Sequence, residues 1–306
     1  MTLSAESTER IDLLFRIAER NGSLISVQEL PKFMPDGETA SEIAEAIAND
    51  PALRVRFELE GGYLTPRTEG RGSETLEKEQ AGRARARINL SHAARFASFL
   101  SPGGFEMVAV SGSTSYGSAS RSKDLDLFCV APSGKMWAPL TQSLLMARIY
   151  KLLSRGSPQI CISCVMDLAY ATAQFSRPQG PLFARDALQT KVLKGNETYR
   201  TLMAAADWIS EFYPHAYRRD DLRPAHNGPR TGPSAFDRAV DRLLSSIVGR
   251  YLMFKASALN AKLRMSADVD DIFEMHLGED HLVYESRRYT NLRSKYDDAL
   301  QQRGAF

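Results

Sequence analysis

The sequence predicts an α/β (α+β) chain in three parts. A small helix-and-hairpin unit comes first, then a small mixed sheet, then a helical C-terminal region. Three observations predict this. Helical spacing gives way to an alternating run that ends near residue 66. Two short apolar strands bracket a Ser/Gly-rich loop within "FEMVAVSGSTSYGSASRSKDLDLFCV". Beyond about residue 182 the apolar residues return mostly at helical spacing.

In the first unit Ile11, Leu14, Phe15 and Ala18 keep helical spacing, and Asn21-Gly22 ends that helix. A second short helix fits "SVQELPKFM". A third fits "ETASEIAEAIAND", with Ala40, Ile43, Ala44 and Ile47 on one face. "RVRFELEGGYLTP" then alternates, with Val55, Phe57 and Leu59 on one side and Gly61-Gly62 as a hairpin turn. Three helices and a hairpin resemble a winged helix-turn-helix, whose third helix would enter a DNA major groove. The charges oppose that use. Residues 1–66 hold six basic residues against twelve acidic ones, a net of −6. The third helix carries Glu38, Glu42, Glu45 and Asp50 and no Lys or Arg, whereas phosphate binding needs cations. A contact or support role is the competing reading.

Residues 68–82, "TEGRGSETLEKEQAG", read as a polar linker into a helix bearing Arg83, Arg85, Arg87 and Arg95. "FEMVAV" and "DLDLFCV" read as strands. "MWAPLTQSLLMARIYKLLSR" reads as a helix, and "QICISCVMDLA" as a third strand. "HAYRRDDLRPAHNGPR" reads as a loop rich in Arg and Pro. Further on, Phe236, Val240, Leu243, Leu244, Ile247 and Tyr251 form an amphipathic helical face, and "HLVYESRRYTNLRSKYDDAL" reads as a last helical region.

The chain has 306 residues, 43% of them hydrophobic, and a formal net charge of +2. These values fit a globular chain of about two domains with no global pull toward a polyanion. No apolar run approaches the ~20 residues that span a bilayer. "MTLSAESTER" shows no signal-peptide pattern, and three cysteines fit a reducing compartment, so a cytoplasmic, disulfide-free protein is expected. Cys161 and Cys164 form a C-x-x-C inside a strand, where residues three apart point to opposite faces unless the strand bends. His276 and His281 fit no familiar metal spacing and read as loop residues. Trp137 and Trp208 read as packing residues, and Arg287 and Arg288 as helix-surface ion-pairing groups.

Asp124 and Asp126 are two apart on a strand, so they share a face, opposite Leu125, Leu127 and Cys129. Two carboxylates about 6–7 Å apart repel by roughly 2–3 kcal/mol at an effective dielectric of about 20. Water and salt relieve that on a surface. In a cleft, a hard cation with oxygen ligands would. The preceding loop supplies Gly112 and Gly117 for unusual dihedrals and Ser113, Thr114 and Ser115 for anion contact.

"GSTSYGSASRSKDLDL" resembles the signature of the DNA polymerase beta-like nucleotidyltransferase superfamily: Gly-Ser, a second Gly five residues after the first, then Asp-apolar-Asp. It departs at Ser115-Tyr116, where that family often has Ala-Arg, and at Lys123, where it often has Ser. "KMWAPLTQSLL", "FARDALQTKVLKGNETYRTLMAAADWISEFYP" and the helical tail resemble a group of predicted bacterial and archaeal nucleotidyltransferase domain proteins. The resemblance implies a nucleotidyltransferase fold and three units. These are a winged helix-turn-helix-like domain (1–67), a catalytic domain (68–190) and a helical C-terminal domain (191–306).

It also implies a transfer of NMP from an NTP to a hydroxyl on a small molecule, a protein or an RNA, with release of pyrophosphate. Asp124, Asp126 and Asp167 would hold Mg²⁺ (or Mn²⁺), and Asp167 would accept the acceptor's proton. For Asp167 the competing reading is a helix-capping or edge aspartate. Gly112 and Ser113 would bind the β/γ-phosphates. Lys123 would either neutralise phosphate or screen the aspartates. The alternative of another class is an NTP-sensing regulator with a weak or inactive site and a winged-helix contact unit.

Overall fold

The computed structural model describes residues 3–20, 23–67, 72–100, 104–119, 124–217, 234–265 and 272–301. Among these the chain is mixed α+β, with twelve α-helices and two sheets of three and six strands. The expected Arg/Pro-rich loop near 215–230 falls largely outside the described residues, as does Lys123.

The N-terminal unit is α1 (Ala5–Arg20), β1 (Ile25–Ser26), a 3₁₀ turn (Leu30–Phe33), α2 (Ala40–Asn49), α3 (Pro51–Arg56), β2 (Phe57–Glu60) and β3 (Tyr63–Pro66). Its strands form an antiparallel sheet in the order β1-β3-β2. The expected second helix is only a 3₁₀ turn, because Pro31 supplies no backbone donor for a longer ladder. "RVR" is helical rather than extended. Asp50 caps α3 by accepting from the Ala52 and Leu53 amides, and Pro51 sits at the first helical position. Val55 is therefore exposed.

The acidic residues of this unit hold local structure. Thr39 and Glu42 form a capping box on α2. Glu38 is buried and accepts from Ser7. The unit's core continues into that of the following residues: Arg10, 3% exposed, donates to the Phe212 carbonyl at 3.1 Å, and Phe33 meets Tyr213 edge-on.

Helix α4 (Gly72–Phe99) begins within the expected linker, since "ETLEKEQ" is made mostly of good helix formers. It leads to β4 (Met107–Val110), the short helical turn α5 (Gly112–Ser115), β5 (Asp124–Ala131), α6 (Trp137–Leu153) and β6 (Gln159–Asp167). Helices α7 (Leu168–Phe175) and α8 (Pro181–Gln189) follow, then β7 (Lys191–Lys194), α9 (Asn196–Ala205) and α10 (Ile209–Phe212). The chain continues with α11 (Ala235–Met265), β8 (Phe273–Leu277), β9 (His281–Ser286) and α12 (Arg287–Gln301).

The large sheet has the order β7-β4-β5-β6-β9-β8, with only β5 and β6 parallel. Alternation along β4 and β5 divides the core. Met107, Ala109, Phe128 and Val130 face α7–α10 and the N-terminal unit. Val108, Val110, Leu125, Leu127 and Cys129 face α4, α6 and α11.

Strands β8 and β9 correct the expectation of a helical tail and place His276 and His281 on strands, not a loop. Trp137 and Trp208 are packing residues whose ring N–H groups donate to the carbonyls of Glu279 and Phe175. On α11 most of the expected apolar face is turned outward: Phe236, Leu243, Ile247 and Tyr251 are exposed, while Val240 is half-buried and Leu244 packs on the core. The buried side is built from Asp241, Gly249, Leu252 and Ala256. Among the described residues no helix is long and apolar enough to cross a membrane.

Candidate functional site

The β4–α5–β5 connection builds the site. β4 and β5 are antiparallel neighbours, and the ladder extends to Ser111, whose amide donates to the Asp126 carbonyl at 3.0 Å. The chain then turns sharply at Gly112, which has φ +64. A Cβ on Gly112 would lie 2.9 Å from Asp126 Oδ2, so glycine lets the turn close onto the carboxylate.

Two of the loop hydroxyls are used internally. Thr114 accepts from buried Asn89 at 3.2 Å, and Ser115 donates to the Gly112 carbonyl at 2.8 Å. The Ser113 hydroxyl makes no hydrogen bond among the described residues. The loop is braced from α4: buried Glu79 accepts from Ser118 (3.0 Å) and from the Leu24 amide (3.1 Å), and Arg85 donates to the Ala119 carbonyl. Tyr116 donates to Asp186 on α8, with the Arg185 guanidinium over its ring.

Asp124 sits at the exposed start of β5, and Asp126 is half-buried beside Gly112. Partial burial raises the Asp124 carboxyl and the Lys151 charge opposes that rise. Asp126 is pushed up to about 6, first by burial and then by the Asp124 charge, with a hydrogen bond from Cys161 working the other way. The pair is therefore held under unfavourable desolvation and like-charge repulsion.

Asp167 does not join them. Asp126 lies opposite Cys161, whereas Asp167 lies opposite Ala131. Five strand residues separate those rungs, about 16 Å at ~3.3 Å per residue. Asp167 is 6% exposed and caps α7, accepting from the Tyr170 amide (2.8 Å) and the Gly134 amide (2.9 Å). The capping reading describes it, and the residue beside Asp126 on the parallel strand is a cysteine.

The two strand cysteines also depart from a flat strand. A bulge puts Ser163 between the rungs Leu127–Ile162 and Phe128–Cys164, so Cys161 and Cys164 face the same side. Burial, the first cause, and neighbouring acidic groups raise both thiols to about 12, which keeps them protonated. Among the described residues no group of three or more His, Cys, Asp or Glu side chains is arranged to hold a metal.

Sequence reasoning missed Asn89 and Glu79, and it named Cys161 without placing it beside Asp126. Asn89 and Glu79 recur at helical spacing with Gly82, Arg83 and Ala86 on the side of α4 that meets the loop. The place of Cys161 beside Asp126 is found only through strand register.

The chain matches no family model, no curated protein and no solved structure.

Proposed function

We propose that the protein transfers a nucleoside monophosphate from an NTP to a hydroxyl acceptor and releases pyrophosphate. The observation that carries this is the left-handed turn at Gly112, closed against Asp126 between two antiparallel strands. Backbone donors and the Ser113 hydroxyl thus adjoin a carboxylate pair. The α5 amides and Ser113 would bind phosphate oxygens. Asp124 and Asp126 would hold one Mg²⁺ (or Mn²⁺), and this donor set fits because both are oxygen ligands whose mutual repulsion a cation relieves. A bound cation would neutralise triphosphate charge. The acceptor oxygen bonds to the α-phosphorus, the bond to the bridging oxygen breaks, pyrophosphate leaves, and the hydroxyl proton passes to water. Asp167 is too far along β6 to take that proton.

The test is incubation with each α-labelled NTP and Mg²⁺, with and without cell extract. Label transfer is expected from the wild type and not from Asp124→Ala. Mg²⁺-dependent NTP binding with no transfer to any acceptor would favour the second reading, an NTP-responsive regulator. Cys161 in the rung beside Asp126, where a third carboxylate would complete the set, favours that second reading. In either case the N-terminal unit serves as a contact module. Its β1-β3-β2 sheet and three helices support a winged-helix reading, and its acidic α2 disfavours DNA.

Gly112→Ala separates loop geometry from folding. The left-handed backbone costs a Cβ-bearing residue about 1–2 kcal/mol, and the nearby atom is a movable carboxylate oxygen. Thermal stability is expected to fall slightly and transfer by roughly tenfold or more, as a misplaced carboxylate does. Unchanged transfer would show that the turn does not position Asp126.

A further inference from the structure

Helices α6 (17 residues) and α11 (31 residues) lie side by side and parallel. The Ala138 amide donates to Asp241 at 2.9 Å, and Arg148 bonds Tyr251; both contacts span 103 residues. α11 continues past the end of α6. Asn260 clamps Phe273 through both backbone groups, at 2.7 and 3.1 Å. Phe273 pairs with Ser286, toward the end of the sheet that carries Asp124 and Asp126. The paired helices thus run toward the end of the sheet that carries the carboxylates, on the opposite face of the sheet from them.

Their outward surface mixes two kinds of side chain. Leu152 is 83% exposed, Phe254 74% and Met265 88%, with Ile149 and Tyr251 between them. The cations are Arg148 and Lys151 on α6 and Arg250, Lys255, Lys262 and Arg264 on α11, all exposed. α6 has no acidic residue, and α11 has none after Asp241, which is buried as the partner of the Ala138 amide. From Arg148 to Lys151 and from Arg250 to Arg264 the two helices hold six cations and no carboxylate. The Lys151 charge reaches Asp124, and that of Lys255 reaches Cys161. A second copy of this face would meet cation with cation. A polyanion with flat apolar groups meets complementary charge and rings.

We propose that the outward face of α6 and α11 docks a single-stranded polynucleotide whose terminal hydroxyl passes round the end of the sheet to reach Asp124 and Asp126 as the acceptor. This rests on the transfer reading for its last step. Phosphates lie along the lysines and arginines, and bases stack on Phe254 and on the Arg148 guanidinium that covers the Tyr251 ring.

Fluorescence anisotropy of a labelled RNA of about 16 nucleotides with the full chain tests it, without NTP or Mg²⁺. Binding is expected at low salt and should weaken steeply between about 50 and 200 mM salt. The double variant K151E/K255E is expected to bind tenfold or more weakly with a shallower salt dependence. F254A is expected to bind about fivefold or more weakly with the salt dependence kept. All three side chains are exposed, so circular dichroism should match the wild type. Equal binding of the matching DNA supports readout of backbone and bases, and an RNA preference supports added 2′-hydroxyl contact.

No binding at about 50 mM salt, or binding unmoved by both variants, overturns the proposal. So does binding to phosphatidylserine vesicles without binding to RNA, or a dimer in light scattering that F254A dissolves. Asp124→Ala should keep RNA binding and lose label transfer. RNA binding by a wild type that transfers to nothing sinks the transferase reading alone. Transfer to another acceptor without RNA binding sinks the docking surface alone.

Discussion

Asp126→Asn is expected to lose transfer by on the order of a thousandfold while making the protein more stable at neutral and alkaline pH. The stability gain follows from the direction of the Asp126 shift. Its carboxyl is raised to about 6 in the fold by burial and by Asp124. In the unfolded chain it titrates near about 3.9. Between those values the folded protein holds more protons, so stability falls as pH rises through the window and the full penalty is present above about 6. Two units correspond to about 3 kcal/mol at ~1.4 kcal/mol per unit. Asparagine keeps the shape and never ionises, so the variant avoids the loss.

Urea denaturation from pH 4 to pH 8 checks this. Wild type and Asp126→Asn should agree near pH 4 and diverge above pH 6, the variant being the more stable. Parallel profiles would mean that the carboxylate is solvated rather than desolvated. Mg²⁺ gives a second readout, because a ligand that binds only the folded state stabilises it by mass action. It should raise the midpoint of the wild type at pH 8 and leave Asp126→Asn nearly unmoved. This arm reports on the pair whether or not an acceptor is found.

The sequence exposed what short-range pattern controls. Gly112, Asp124 and Asp126 lie within one turn and one strand, and the alternation of β4 and β5 assigns their faces without any distant partner. Asp167 and Cys161 show the limit. Which of them stands beside Asp126 depends on the register of β6 against β5, set by contacts outside the segment and changed by a bulge at Ser163 that no residue type announces. Strand β8 was legible, since Phe273, Met275 and Leu277 alternate with Glu274 and His276, whereas β9 runs Leu282-Val283-Tyr284 without a polar break and leads straight into a helix. For α11 the period correctly gave a helix, but periodicity cannot say which side meets the protein. The small residues Gly249 and Ala256 pack inward, and the large apolar ones face out.

Gly195→Ala is expected to be the most damaging single change to the fold, at about 4 kcal/mol. Gly195 joins β7 to α9 with φ +84. Alanine in that left-handed conformation costs about 1–2 kcal/mol by itself. Steric overlap costs more. The alanine Cβ would lie 1.9 Å from the Glu106 carbonyl oxygen and 2.8 Å from Met107 Cα. Those atoms are backbone and cannot swing aside. The Glu106 amide donates to Val130 at 2.7 Å, and the Glu106 carbonyl accepts from Thr198 at 3.3 Å, so both sides of that residue are anchored. Relief requires moving β4 against β5 or β7, and forced overpacking of this kind costs about 1–3 kcal/mol or more. Gly156→Ala is the matched control: φ is +77, but nothing lies within 4 Å of its Cβ. It carries only the backbone cost. Urea midpoints and soluble yield should fall far more for Gly195→Ala than for Gly156→Ala. Equal losses would mean that β4 has room to yield, and with it the turn at Gly112 that depends on β4 for its position.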